Sequence, residues 1–261
     1  MADLWLSEIF SAIQGEGPFV GERQVFVRVA GCNLRCVYCD QPEALERTAR
    51  CRIEHSAGRR DFVGHDNPLR LDAVQAAIRR LNAPTGLHRS VSFTGGEPLL
   101  QVEALRELAQ RVRRDGLRVY LETHGAAPRQ LAEIIDDVDV IAMDLKLPSS
   151  SGEPPLWNRH GEFLDHVVGR VPLPAVLFVK LVVDERVTDD EIETAARLVA
   201  ERDPGIPFIL QPVTDHGPLL DATRVAPPPS PARVLELQAL AVHWLRDVRV
   251  IPQTHKLIGQ L

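Results

Sequence analysis

Six short apolar runs, rich in β-branched residues, punctuate this chain, and most are followed by a segment with helical spacing. They are QVFVRVA at 24–30, VSF at 91–93, LRVYLET at 117–123, VDVIAMDLK at 138–146, PAVLFVKLVV at 174–183 and PFILQPV at 207–213. Helical patterns intervene at 72–82 (DAVQAAIRRLN, with Pro84 just beyond), about 101–114, 129–136 and 189–202. Strand and helix units repeated in this way imply parallel pairing with right-handed crossovers. Roughly six units fit, fewer than the eight of a full TIM barrel. The expected fold is therefore α/β, a partial (βα)6-type TIM-like barrel, with residues 1–261 forming one catalytic domain.

Two segments break the rhythm. Residues 40–70, rich in Arg, His and Gly, read as an irregular insertion, and APPPSPA at 226–232 reads as a semi-rigid connector. A last helix at about 232–246, the strand VRVI and the tail PQTHKLIGQL follow. There is no internal repeat. The chain has 261 residues, 44% apolar and 25% charged, with a net charge of −6, which gives no support to nucleic-acid or anionic-membrane binding. Four cysteines are too few for a disulfide scaffold. The N-terminus lacks a basic region with a long apolar run, and no stretch approaches the ~18 apolar residues of a membrane span. The expected location is the cytoplasm, where thiols stay reduced.

Three of those cysteines fall within eight positions of GCNLRCVYCD (31–40), at Cys32, Cys36 and Cys39. A disulfide uses two thiols and a closed structural zinc site four, so three suggest a metal centre with a position left open. A set of three soft sulfurs suits an iron–sulfur cluster or zinc. Cys51 or His55 could complete a zinc site, and that alternative stays open at this point. A [4Fe–4S] cluster on three cysteines leaves one iron free to chelate a small molecule.

The C-x3-C-x2-C spacing, with Tyr38 before the last cysteine, resembles the signature of the radical S-adenosylmethionine (SAM) superfamily. The resemblance implies that the open iron binds the amino and carboxylate groups of SAM, and that an electron from the cluster cleaves SAM to a 5′-deoxyadenosyl radical. TGGEP at 94–98 follows the next strand and resembles the element that holds SAM's methionine amino group. Its glycines suit close approach of backbone to ligand. The SAM-binding set implied is Val37, Tyr38, Gly95, Gly96, Glu97, Glu122, Thr123, Asp144, Leu145, Lys146, Gln211, Pro212, Val213 and Thr214. Many of these end a strand, as does Gly125, and polar residues at strand C-termini line the site of a barrel.

The ends of the chain narrow the resemblance. EIFSAIQGEG at 8–17 with Arg28, DLKLPSSSGE at 144–153, LQPVT at 210–214 and the tail QTHK at 253–256 resemble the 7-carboxy-7-deazaguanine synthase family. The likeness spans nearly the whole chain and is weakest at 43–70 and 215–250. It implies a carbon–nitrogen lyase of queuosine and deazapurine biosynthesis. The substrate would be 6-carboxy-5,6,7,8-tetrahydropterin, which loses hydrogen at C6, contracts and releases ammonia. SAM would return intact, and Mg²⁺ would be required. Ile13, Gln14, Gly15, Glu16, Arg28, Thr94, His255 and the terminal Leu261 are the substrate contacts implied. A pterin is flat, with a donor/acceptor edge and one carboxylate. Gln14 and Glu16 offer partners for such an edge, and Arg28 a bidentate clamp for the carboxylate.

One position departs from the pattern. Gln41 stands where the family commonly has a threonine that ligates Mg²⁺. An amide oxygen is also a hard neutral ligand, so either Gln41 keeps the ion or the ion is lost. The family also implies an electron donor such as flavodoxin or ferredoxin, and a homodimer. Two other functions share parts of this pattern: a radical SAM activase that makes a glycyl radical on a partner protein, and a non-enzymatic zinc module on Cys32, Cys36, Cys39 and Cys51.

Overall fold

The computed structural model describes residues 3–170, 175–214, 223 and 227–260. Its strands are β1 (Asp3–Leu4), β2 (Leu6–Ile13), β3 (Arg23–Val29), β4 (Arg50–Glu54), β5 (Phe62–Asp66), β6 (Leu69–Arg70), β7 (Ser90–Gly95), β8 (Arg118–Thr123), β9 (Val140–Asp144), β10 (Val176–Val183), β11 (Phe208–Pro212) and β12 (Val248–Val250). The helices are α1 (Leu71–Leu81), α2 (Val102–Arg114), α3 (Pro128–Ile134), α4 (Pro148–Ser151), α5 (Trp157–Val168), α6 (Asp189–Ala200), α7 (Pro231–Val242) and α8 (Thr254–Leu257).

Ten strands form one sheet in the order β12-β11-β10-β9-β8-β7-β3-β2-β4-β5. From β3 through β7 to β12 every pairing is parallel. Six of these strands are followed by a helix that crosses back: β3 by α1, β7 by α2, β8 by α3, β9 by α5, β10 by α6 and β11 by α7. The architecture is the partial TIM-like barrel expected from the alternation, with β12 added as a seventh parallel strand.

The period-2 geometry of the strands separates two environments. Val25, Val27, Val29, Val91, Phe93, Val119, Leu121, Ile141, Met143, Val179, Leu181, Val183, Phe208 and Leu210 point outward into the main core under the helices. Burying one such side chain fully contributes about 1.5–3 kcal/mol. Helix α2 meets that core with Val102, Leu105, Leu108, Ala109 and Val112, a stripe at helical spacing. The opposite residues of the same strands point inward. Near the strand starts they are apolar, with Tyr120, Val140, Ala142, Phe178 and Ile209 packed together. Towards the strand ends they become polar.

Several elements differ from expectation. Residues 40–70 are not irregular: β4 and β5 pair antiparallel as a hairpin, and β4 joins the sheet beside β2. The signal was weak because β4 alternates charged and buried residues and β5 is an edge strand of mainly exposed residues. Strand β2 and helix α5 were not expected. Buried on both faces, β2 lacks the alternation of a half-exposed strand. The connector is shorter than 226–232, since Pro231 opens α7 with Ser230 as its cap; residue 226 lies outside the described residues, as do Pro174 and Leu261. No described helix is long and apolar enough to cross a membrane.

Candidate active site

The polar inward residues and the loops above them enclose a cavity of about 210 Å³. It lies at the C-terminal ends of the parallel strands, where a barrel gathers side chains from separate strands. Three groups of residues meet there: the loop after β3 with Cys32, Cys36 and Cys39, the turn after β2 with Gln14, Gly15 and Glu16, and the tail with Gln253, His255 and Lys256.

Cys32, Cys36 and Cys39 are unpaired thiols that pack with Leu34, Tyr38, Val182 and Val213. Burial pushes the Cys36 thiol up to about 11, partly offset by the nearby Lys146, and raises Cys32 and Cys39 as well. Thiolates here therefore need a bound cation. Cys51 is elsewhere, in the main core under the helices. Among the described residues no three Cys, His, Asp or Glu side chains close on a single ion. A cluster distributes its thiolates over separate irons, so it needs thiols around a pocket and not around a point.

A charged lattice crosses the cavity. Lys180, inward on β10, bonds Glu16 at 2.6 Å and Asp144 at 3.2 Å, and Lys146 bonds Asp144 at 2.8 Å. In the tail, Lys256 meets Asp40 at 2.7 Å. Three ammonium groups thus balance three carboxylates. Burial raises the carboxyl of Asp144, but Lys146 and Lys180 outweigh it and hold it down to about 2. Burial likewise opposes ionisation of Glu16 and Asp40, yet Lys180 and Lys256 respectively bring both below their ordinary values. These groups are ionised at neutral pH. Burial lowers the pKa of His255 despite the pull of Glu16 and Asp40, so its ring is neutral at that pH.

The two ends of the chain lock together at this site. Gln253 Nε2 donates to Glu16 Oε1 at 2.7 Å and to Asp40 Oδ2 at 3.1 Å, and Thr254 donates its N–H to the Gly15 carbonyl at 2.9 Å. His255 presses on Gly15 so closely that a Cβ there would meet its Nδ1 at 2.1 Å. Deeper in the cavity, Glu122 accepts from Gln14 Nε2 at 2.8 Å, Ser92 Oγ at 3.2 Å and Thr94 Oγ1 at 2.6 Å.

Most residues singled out from the sequence line this cavity: Ile13, Gln14, Gly15, Glu16, Arg28, the three cysteines, Tyr38, Gln41, Thr94, Gly95, Gly96, Glu122, Thr123, Asp144, Lys146, Gln211, Val213, Thr214 and His255. Four do not reach it with their side chains. Glu97 is wholly buried beneath the turn, where its carboxylate accepts from Thr123 Oγ1 at 2.8 Å and from the backbone N–H groups of Leu99 and His124 at 3.0 and 2.9 Å. It ties the end of β7 to the end of β8. Leu145 points into the main core, Val37 is buried with its N–H on the Ser151 carbonyl, and Pro212 ends β11 off the cavity. Glu122, expected beside SAM, is bonded to Gln14 and Thr94 of the substrate set. Sequence reasoning missed Lys180, Asp40, Gln253 and Lys256 as cavity residues. A lysine inside the run PAVLFVKLVV was the available signal, since a charge in a buried strand needs a partner.

A family model of the Radical SAM superfamily matches residues 26–199. The 7-carboxy-7-deazaguanine synthase of Geobacter sulfurreducens is 46% identical over 257 residues, covering 98% of this chain and 97% of its own. That of Methanopyrus kandleri is 36% identical, covering 96% and 92%. This chain belongs to the 7-carboxy-7-deazaguanine synthase family. Among solved structures, QueE from Escherichia coli shares the fold, with a TM-score of 0.58 at 20% identity over 96% of this chain and 93% of that one.

The residues present fit the cofactors of this radical SAM synthase family. Three thiols line one pocket beside the apolar side chains of Leu34, Val182 and Val213, and the fourth is remote. Gly95 has φ +115°, and a Cβ on Gly96 would meet the Gly31 carbonyl oxygen at 2.1 Å, so the turn and the cysteine loop touch through bare backbone. Tyr38 Oη, Asp144 Oδ1 and Gln211 Oε1 are buried without a hydrogen-bond partner, and all three residues line the cavity. Orphaned polar atoms grouped in this way await a polar ligand.

Proposed function

We infer that this enzyme converts 6-carboxy-5,6,7,8-tetrahydropterin to 7-carboxy-7-deazaguanine with loss of ammonia, using SAM and a [4Fe–4S] cluster held by Cys32, Cys36 and Cys39. The observation that carries this reading is the meeting of Gln14, Glu16, Arg28, Thr94 and His255 in one cavity beside the three thiols. When bound, the cluster and SAM supply the 5′-deoxyadenosyl radical that takes a hydrogen atom from the substrate.

The chain's own residues bind, orient and exclude water. Gly95, Gly96, Tyr38, Thr123, Asp144, Lys146, Gln211 and Thr214 form the polar rim assigned to SAM. Gln14, Thr94 and Glu122 form the substrate end. Among the described residues Glu122 has no cationic partner, so its carboxylate serves the donor edge of the pterin. Glu16 is held by Lys180 and Gln211 and turns the tail inward through Gln253. Roles for Leu261 and His255 against the substrate belong to the same reading, as do a one-electron donor such as flavodoxin or ferredoxin and a homodimer.

Arg28 receives the substrate carboxylate. Its Nε is fixed by Glu8 at 2.8 Å, its plane lies 5.4 Å from the Phe10 ring, and its side chain borders the cavity. Arg28→Ala is expected to weaken apparent pterin affinity roughly ten- to a hundredfold, the value of about 1.5–3 kcal/mol for a charge-assisted bond. Reductive cleavage of SAM without substrate should be unchanged. Steady-state kinetics alongside 5′-deoxyadenosine assays check this, and equal loss of uncoupled cleavage contradicts the assignment.

Mg²⁺ is assigned to Gln41, which lines the cavity beside Asp40. Lys256 and Gln253 both bond Asp40 Oδ2, which turns that oxygen to the tail, and the neighbouring Gln41 amide oxygen is the hard neutral ligand this reading gives to the ion. Gln41→Ala should raise the Mg²⁺ concentration needed for half-maximal turnover, and Gln41→Thr should preserve the response. Full activity of the wild type after exhaustive chelation contradicts the metal assignment.

A further inference from the structure

Four side chains stand in one row across the inner face of four neighbouring strands. The strand registers place Arg52 of β4 opposite Glu8 of β2, Glu8 opposite Arg28 of β3, and Arg28 opposite Thr94 of β7. Arg28 and Thr94 line the cavity; Glu8 and Arg52 do not. The Glu8 side chain is only 5% exposed, and its two oxygens are divided. Oε1 accepts from Arg28 Nε at 2.8 Å, while Oε2 takes Arg52 Nε at 2.8 Å and Nη2 at 2.7 Å. Arg52 is half exposed, and its guanidinium stacks 4.6 Å from the Phe62 ring of β5.

We propose that Arg52, presented by the β4–β5 hairpin, is a positioning residue that keeps Arg28 available to the substrate carboxylate by occupying the second oxygen of Glu8. This rests on the assignment of Arg28 above. The argument is electrostatic and geometric. A buried Glu8–Arg28 pair alone is neutral and offers no net charge to an incoming carboxylate. Adding Arg52 leaves the row with one net positive charge beside the cavity, a pull that solvent screens in part because Arg52 is half exposed. Geometry acts in the same direction. A carboxylate with both oxygens free prefers a two-bond fork with one guanidinium. With Arg52 absent, Glu8 can draw the Nη groups of Arg28 into such a fork and away from the substrate. The cavity charges on the other side, Lys146, Lys180 and Lys256, are matched by Asp144, Glu16 and Asp40 and do not replace this one. The Glu122 carboxylate bonded to Thr94 adds a negative charge that the row without Arg52 would leave unbalanced. The segment between the cysteine loop and α1, which the partial barrel does not need, thereby acquires a part in substrate recognition.

The test uses cluster-reconstituted enzyme under anaerobic conditions. For Arg28→Ala, Arg52→Ala, Arg52→Lys and the double alanine variant it measures KM and kcat for the carboxytetrahydropterin, SAM cleavage without substrate, and binding of pterin-6-carboxylate by fluorescence quenching. Arg52→Ala should raise KM and weaken pterin-6-carboxylate binding by about tenfold, with kcat and uncoupled SAM cleavage near wild type, which also shows that the variant is folded. Arg52→Lys, which keeps the charge, should restore most of the affinity. The double variant should bind no worse than Arg28→Ala alone, since the effect runs through Arg28. An unchanged KM in Arg52→Ala, with a raised KM in Arg28→Ala, overturns the proposal and leaves the role of Arg28 standing. Additive losses in the double variant overturn it too. An unchanged KM in Arg28→Ala overturns both.

Discussion

Alanine at Cys32, Cys36 or Cys39 is expected to give a protein that stays colourless on anaerobic reconstitution and cleaves no SAM. Each thiol supplies one of only three protein ligands, and the pocket offers no substitute: Cys51 lies in the core under the helices, where its side chain packs among apolar residues. Cys51→Ala should therefore keep the cluster, with about four irons per chain, and lose at most about 1 kcal/mol of stability for the smaller side chain. Iron analysis and visible absorbance read the result directly. Loss of the cluster in Cys51→Ala, with retention in one of the other three, contradicts the ligand assignment and revives a zinc site.

Gly96→Ala is expected to be nearly as damaging, for a reason confined to the backbone. The added Cβ would lie 2.1 Å from the Gly31 carbonyl oxygen and 2.7 Å from that of Ala44. Neither is the end of a flexible side chain. The same Gly31 carbonyl accepts from the Glu97 N–H at 2.8 Å, and the Gly31 N–H donates to Ala44 at 2.8 Å. Relieving the clash must move the turn away from the cysteine loop and break these bonds. Overpacking of this kind costs about 1–3 kcal/mol. The larger effect should fall on SAM, whose proposed site lies between the two segments. Gly96→Ala should reconstitute some cluster yet lose SAM cleavage by at least about a hundredfold, by analogy with misplaced active-site geometry.

The parallel barrel was legible because its strands are buried on one face against helices and carry β-branched runs that no helix would use. The cysteine loop and TGGEP were legible because chemistry fixes their spacing. The hairpin of β4 and β5 was not. An edge strand such as FVGHD is stabilised by pairing and by one stacking contact with Arg52, and neither is visible in its own composition. The partners of the Glu97 side chain were hidden for a related reason: its sequence position marks the turn after β7, but its rotamer sends the carboxylate down to Thr123 and the backbone of β8's end, which only the tertiary structure reveals. Glu122 was legible as a residue of the rim, but its bonds to Gln14, Ser92 and Thr94 were not, because they depend on strand register. Lys180 was legible in principle: an inward lysine in an apolar strand required the carboxylates that Glu16 and Asp144 supply.

The central claim is tested most directly by anaerobic turnover. Reconstituted enzyme, SAM and a one-electron reductant are mixed with 6-carboxy-5,6,7,8-tetrahydropterin and followed by ultraviolet absorbance and mass spectrometry. The account predicts formation of 7-carboxy-7-deazaguanine with release of ammonia, dependent on substrate, reductant and all three loop cysteines. Robust 5′-deoxyadenosine formation from SAM without any deazaguanine product, under conditions where substrate is stable, would contradict it.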